Sequence, residues 1–178
     1  SISDHKPVSC NFILPTWNRP CGISDDCTKA IVHLRNVSAQ NLIAADVGGK
    51  SDPFIHFPRQ LLLEKYIQSK RVNKTLNPKW KNKHLKPLIM IRNSLPFLQK
   101  ALLLFQIRDH DKFSANDLIG CGYLELKYCV EKLNKWVKFR EYLTLDGKDA
   151  GIFMGEIKLE YKVKSRKKSS KKDVYNDY

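Results

Sequence analysis

Acidic residues are scarce in this 178-residue chain: 18 Asp and Glu stand against 32 Lys and Arg, a formal net charge of +14. A surplus of that size points to a polyanionic partner, and nucleic acid and anionic lipid both satisfy it. Long apolar runs are missing as well. None approaches the roughly 18 to 20 residues that a membrane-crossing helix needs, and no charged-then-apolar leader opens the chain. A start at Ser1 rather than Met is expected of a piece of a larger protein, which leaves room for an anchor elsewhere in the parent. The five cysteines contain no CxxC pair, and Cys10, Cys21 and Cys27 crowd into the first segment. Zinc ligation is not expected at such spacings. Free thiols in a reducing compartment are, with a disulfide inside the N-terminal segment as the alternative. There is no Ser-His-Asp arrangement, no P-loop and no HExxH, so no catalysis is expected of these residues.

What is present is globular in character: 42% hydrophobic residues, 28% charged, and a mean hydropathy of -0.43, at a length that suits one domain with extensions. Residues 1–28, with Pro7, Pro15 and Pro20, show no sustained period and read as an N-terminal extension. From Lys29 to Lys164 the pattern becomes one of short strands. In "GEIKLEYKVK", Ile157, Leu159, Tyr161 and Val163 alternate with charged residues, a strand with one buried face. "KALLLFQIRD" is a more apolar strand running into Asp109, and "AIVHLRNV", "DPFIHF", "KYIQSKRV", "KWKNKHLKPL", "LIGCGYLELK" and "FREYLTL" supply six more. "YCVEKLNKW" is suited to a short helix in a late loop. Eight short strands predict an all-β protein, an eight-stranded antiparallel β-sandwich, since a sheet this long must bury one face on another. Residues 165–178 are basic and poor in apolar side chains, as disordered tails are.

Against the basic background, the aspartates are unevenly spread. Asp46 and Asp52 flank Gly48 and Gly49 in "NLIAADVGGKSDPF", while Asp109, Asp111 and Asp117 fall within nine residues of "FQIRDHDKFSANDLIGCGYLELK". Both loops leave apolar strands, and if they neighbour each other five carboxylates converge. Uncompensated, such charges repel; a hard divalent cation removes the repulsion. Calcium takes roughly six to eight oxygens in irregular geometry, so ten carboxylate oxygens suit two ions sharing ligands. Transition metals would ask for more His or Cys than His110 alone. The third loop is not an EF-hand: Ser114 stands where that loop needs Gly, and Gly120 where it needs Glu. Asp is also an ordinary turn and capping residue, and spacing alone leaves that alternative open.

Three motifs in order, "NLIAADVGGKSDPF", "KTLNPKW" and "IRDHDKFSANDLIG", resemble the C2 domain family over about Ala30 to Lys164. The resemblance implies a β-sandwich with calcium-binding loops at one end. Its usual ligands map onto Asp46, Asp52, Asp109, Asp111 and Asp117, all Asp here, with the backbone carbonyls of Ala45 and His110 assisting. Only one clear strand precedes the first aspartate loop and "GEIKLEYKV" closes the domain, which resembles the family's circularly permuted, type II topology. The function it implies is calcium-dependent binding to anionic phospholipid such as phosphatidylserine. The parent would be an intracellular trafficking or signalling protein of the vesicle-exocytosis kind, cytoplasmic and peripheral on the membrane once calcium binds. Phe113 and Lys112 sit between the ligands, suited to entering the interface and meeting headgroups, or, for Phe113, to packing on its own loop.

A second basic feature is "SKRVNKTLNPKWKNKHLK". If "KWKNKH" is a strand, Lys79, Lys81 and Lys83 line one face, Trp80 points to the other, and Lys70 joins them from the preceding strand. The family often carries such a lysine-rich face for phosphoinositides; a solvated strand face is the plain alternative. The alternative function is therefore a calcium-independent module that binds phosphoinositides or a protein partner through these lysines. In the tail, Lys and Arg surround Ser165, Ser169 and Ser170, a basic cluster that attracts anionic lipid and that phosphorylation would weaken, or else a linker. Nucleic acid fits the net charge only: RNP-like aromatics, a zinc finger and a recognition helix are all missing.

Overall fold

The computed structural model describes residues 27–44, 50–111 and 115–163; residues 1–26 of the N-terminal extension, the basic tail, Ala45, Asp46, Lys112 and Phe113 lie outside them, while Cys27 and Thr28 already belong to the first strand. Eight strands follow in order: β1 (Cys27–Gln40), β2 (Pro53–Phe57), β3 (Ile67–Gln68), β4 (Leu88–Ile89), β5 (Leu102–Asp109), β6 (Leu118–Glu125), β7 (Val137–Leu145) and β8 (Lys148–Val163). All pairings are antiparallel, in the order β3-β2-β5-β6-β7-β8-β1-β4. Between β6 and β7 a single pair, Cys121 with Thr144, joins the strands. That thin seam separates β3-β2-β5-β6 from β7-β8-β1-β4, the two layers of a sandwich.

The layers are held by side chains that alternate as strand geometry requires. In β5, Leu103, Phe105 and Ile107 are buried, while Leu102, Leu104, Gln106 and Arg108 face outward to differing degrees. In β8, Phe153, Ile157 and Leu159 are buried on the same parity. Phe105 and Phe153 meet across the interior with ring centroids 4.4 Å apart, and Phe57, Phe139 and Trp80 pack around this pair. Strand β1 changes parity halfway: Ala30, Val32 and Leu34 are buried on even numbers, Val37 and Ala39 on odd ones. The cause is an irregularity between Arg35 and Ser38, where Asn36 takes φ 52. An extra residue in a strand flips every later side chain, and Asn tolerates the left-handed conformation better than most residues.

Strand β8 runs beside β1 from Cys27 to Gln40, and among the described residues no strand precedes β1. The closing strand therefore occupies an inner position of the sheet, as the permuted topology requires. Gly151 makes the last part of this pairing feasible. It sits at φ +117, and a Cβ there would lie 2.6 Å from the carbonyl oxygen of Gln40.

Two expected strands are corrected. "KYIQSKRV" contributes only the two-residue β3. "KWKNKHLKPL" is not a strand: Pro78 to Trp80 run beside β1, with Trp80 N–H donating to Val37 O at 3.0 Å, and then a 3-10 turn forms over Asn82–His84. The turn is anchored where Asn36 N–H donates to Asn82 Oδ1 at 2.8 Å. The alternation of Lys79, Lys81 and Lys83 therefore does not line a strand face, although all three are exposed and Trp80 is buried as expected. The late helix is present as α2 (Lys127–Glu131), and a single turn, α1 (Leu95–Leu98), joins it. Cys121 and Cys129 are free thiols, and burial pushes the Cys129 thiol up to about 11, so it stays protonated at neutral pH.

Phe153 contacts aromatic rings from both layers, so Phe153→Ala is expected to lower stability by about 3–5 kcal/mol, read as a lower urea midpoint. A loss below about 1 kcal/mol would mean that the two sheets do not depend on this aromatic contact.

Candidate functional site

The two aspartate loops meet because β2 and β5 pair antiparallel in a register that sets Pro53 opposite Asp109. The residue before β2, Asp52, thereby reaches the last residue of β5. Asp52 N–H donates to Asp109 Oδ1 at 2.6 Å, and His110 N–H donates to Asp52 O at 3.3 Å. The base of the third loop is closed by Asp109 N–H donating to Asp117 O at 2.8 Å. Inside that loop Asn116 Oδ1 accepts from Asp111 N–H at 3.1 Å, and Asn116 O accepts from Arg108 Nη2 at 2.6 Å.

Asp109 is 1% exposed, one of two buried polar residues among the described ones. Its Oδ1 is used by Asp52, while its Oδ2 is buried with no hydrogen-bond partner among the described residues. A carboxylate in that position asks for a positive or hydrogen-bonding partner, because burying an unpaired charge is strongly unfavourable. An oxygen-seeking cation meets that demand, so the residues present fit one.

Asp52 is positioned by a third segment. Val72 N–H donates to Pro53 O and Thr75 N–H to Ser51 O, so residues 72–75 run alongside residues 51–53. Lys74, at φ 51, turns its N–H to Asp52 Oδ1 at 2.8 Å. Arg71 adds a side chain: its Nε lies 3.8 Å from Asp52 Oδ2, and its Nη1 donates to His110 Nδ1 at 2.8 Å. Arginine has no acceptor, so the His110 ring accepts through Nδ1.

Of the expected ligands, Asp52 contacts both Asp109 and His110 directly. Asp111 and Asp117 stand on the same loop, Asp111 half-buried and Asp117 exposed. Among the described residues, no group of three or more His, Cys, Asp or Glu closes to the spacing of a metal site. Asp46 and Ala45, together with Lys112 and Phe113, lie outside the described residues. Sequence reasoning missed Arg71, Lys74 and Asn116. The only available signal for Asn116 was its place beside Asp117 in a loop rich in turn formers; Arg71 and Lys74 carry none.

The "TLNPKW" motif also acts at this end. Leu76 O accepts from Leu42 N–H, Asn77 Oδ1 from Asn41 N–H and Pro78 O from Ala39 N–H, each at 3.0 Å. It binds the exit of β1 and so fixes where the first aspartate loop departs. Further along, the charges of Lys70, Lys81 and Lys83 act on His84. The imidazole is held below its ordinary value first by burial and then by the charges of Lys70, Lys83 and Lys81. Lys81 and Lys83 are on or beside the 3-10 turn and Lys79 is on the extended segment before it, so the expected lysines do not share one strand face.

Comparison with known proteins agrees with this architecture. The C2 domain family model matches residues 30–139, and the chain belongs to the C2 domain family. It is 35% identical over 116 residues to Tricalbin-1 of Saccharomyces cerevisiae, covering 65% of this chain and 9% of that protein. Over 96 residues it is 33% identical to Synaptotagmin-5 of Arabidopsis thaliana, covering 54% of this chain and 16% of that protein. The chain therefore spans a small part of the length of these relatives. Among solved structures, a C2 domain of plant Extended Synaptotagmin 1 superposes with a TM-score of 0.57 at 25% identity, covering 76% of this chain and 96% of that one.

The two oxygens of Asp109 give opposite expectations for two substitutions. Without divalent cations, Asp109→Asn keeps an acceptor for Asp52 N–H and removes an unpaired buried charge, so stability should equal or exceed that of the wild type. Asp109→Ala strands the Asp52 N–H and should lose about 1–3 kcal/mol. Urea unfolding in chelator measures both. Equal losses would show that the carboxylate charge is compensated in the cation-free protein.

Proposed function

We propose that this chain is a calcium-dependent phospholipid-membrane-binding module of a larger intracellular trafficking or signalling protein. Its carboxylates Asp46, Asp52, Asp109, Asp111 and Asp117, with the carbonyls of Ala45 and His110, would hold two calcium ions. The observation that carries this is the buried Oδ2 of Asp109, which lacks a partner among the described residues at the junction of two aspartate loops. When bound, calcium supplies the charge these carboxylates lack and open positions for phosphate or carboxylate oxygens of an anionic headgroup.

The chain's own residues supply placement. The hydrogen bond between Asp52 and Asp109 joins the loops in advance, so no large rearrangement is needed for the loop edge to change sign. Lys112 and Phe113, between Asp111 and Asp117, are positioned in sequence to meet headgroups and the interface. The surplus of 32 basic residues over 18 acidic ones adds attraction to any anionic surface. In this role the chain binds and carries out no reaction, and it works as a cytoplasmic, peripheral module.

A second reading is favoured by the lysines around His84. Lys70, Lys81 and Lys83, whose charges all act on His84, would form a basic patch suited to a phosphoinositide headgroup, with Lys79 nearby in sequence, and calcium would play no part in it. A protein partner with an acidic surface would fit the same patch.

Sedimentation with phosphatidylserine liposomes at fixed ionic strength, with calcium and with chelator, separates these readings. Binding is expected with calcium only, and Asp109→Asn or Asp52→Asn should weaken it at least about tenfold. Equal binding in both conditions would refute calcium dependence. In chelator, liposomes carrying phosphoinositide test the patch: Lys81→Glu with Lys83→Glu should remove that binding if the second reading is right, and leave calcium-dependent binding largely intact.

A further inference from the structure

Arg71 is the basic side chain that forms an ion pair with an expected calcium ligand among the described residues. Its backbone is fixed beside Asp52, because Val72 N–H donates to Pro53 O and Lys74 N–H to Asp52 Oδ1. From there the guanidinium spans both loops, with Nε 3.8 Å from Asp52 Oδ2 and Nη1 2.8 Å from His110 Nδ1. The side chain is 34% exposed, so it has room to leave. An arginine stays charged at every accessible pH. Its charge is therefore a permanent occupant of the carboxylate cluster when no metal is there.

We infer that Arg71 is a resident counter-cation of Asp52 that competes with calcium, and that it sets the calcium concentration at which the site fills. Resting on the calcium reading above, this names the residue that tunes that site. The competition has a simple origin. A divalent ion at the Asp52 and Asp109 carboxylates either draws Asp52 Oδ2 away from the guanidinium or is held next to a positive charge. Both outcomes weaken calcium binding relative to the same site without Arg71. Asp109 does not share the restraint: its Oδ2 has no partner among the described residues, so the cation's first hold is on Asp109 and Arg71 governs the contribution of Asp52.

The test is a calcium titration by calorimetry on the full chain, stripped with chelator, without lipid and at fixed ionic strength. Three proteins are compared: wild type, Arg71→Gln and Arg71→Lys. Gln keeps a donor for His110 and removes the charge; Lys keeps the charge. Arg71→Gln is expected to bind calcium about three- to tenfold more tightly than wild type, and Arg71→Lys to stay within about twofold of it. Calcium binding by Arg71→Gln alone, with none by the wild type, would be the strongest support. If wild type binds calcium and Arg71→Gln binds equally or more weakly, Arg71 is a structural pin of Asp52: the inference fails and the calcium reading stands. If Arg71→Lys tightens as much as Arg71→Gln, charge is not the cause and the inference fails. If none of the three binds calcium, the calcium reading fails and takes this inference with it.

Discussion

The antiparallel register of β2 on β5 is the constraint on which the rest depends. By setting Pro53 opposite Asp109 it brings together two loops more than fifty residues apart in sequence, and it does so with backbone hydrogen bonds. The aspartates themselves repel one another and could not assemble the cluster. It is assembled by apolar strands whose buried residues, Ile55 and Phe57 on one and Phe105 and Ile107 on the other, allow only one register. A slip by one residue would turn those side chains outward. The folding energy of the core thus holds Asp52 beside Asp109, a placement that their own electrostatics opposes.

The clearest elements in the sequence are those whose environment is uniform along their length. Strand β8 carries a period of two over many residues because one face meets the aromatic core and the other meets solvent. Strand β5 reads as it does because its inward face is buried throughout. "KWKNKH" misleads for a specific reason. Its alternation is real, and Trp80 does enter the core, but a side-chain amide from a distant position, Asn82, bonds the backbone of Asn36 and turns the chain. A contact between residues 36 and 82 leaves no local trace. The same holds for Arg71 and Lys74, which reach Asp52 because residues 72–75 lie beside residues 51–53, and for the shortening of β3 to two residues. The aspartates were legible because their chemistry is unusual for so basic a chain. The groups that position them are ordinary residues whose importance arises only from long-range pairing.

Charge is arranged in two territories. At the loop end, carboxylates are pinned by backbone donors and one guanidinium, so the local balance depends on what else arrives. Around His84, the charges that act on the imidazole are those of Lys70, Lys83 and Lys81. One surface is conditional and the other is constant.

The single residue pair between β6 and β7 has a mechanical meaning. Within one layer β8 is laced by long ladders to β1 and to β7, whereas a single residue pair joins the two layers at β6 and β7, with Leu124, Tyr128, Phe139 and Ile157 lining a cleft of about 330 Å³ further along these strands. Each layer is therefore firmly laced within itself, and the β6–β7 margin is where the two share least backbone pairing. Deformation of the domain would be taken up first at that margin, leaving the β2–β5 register, and the aspartates it carries, undisturbed.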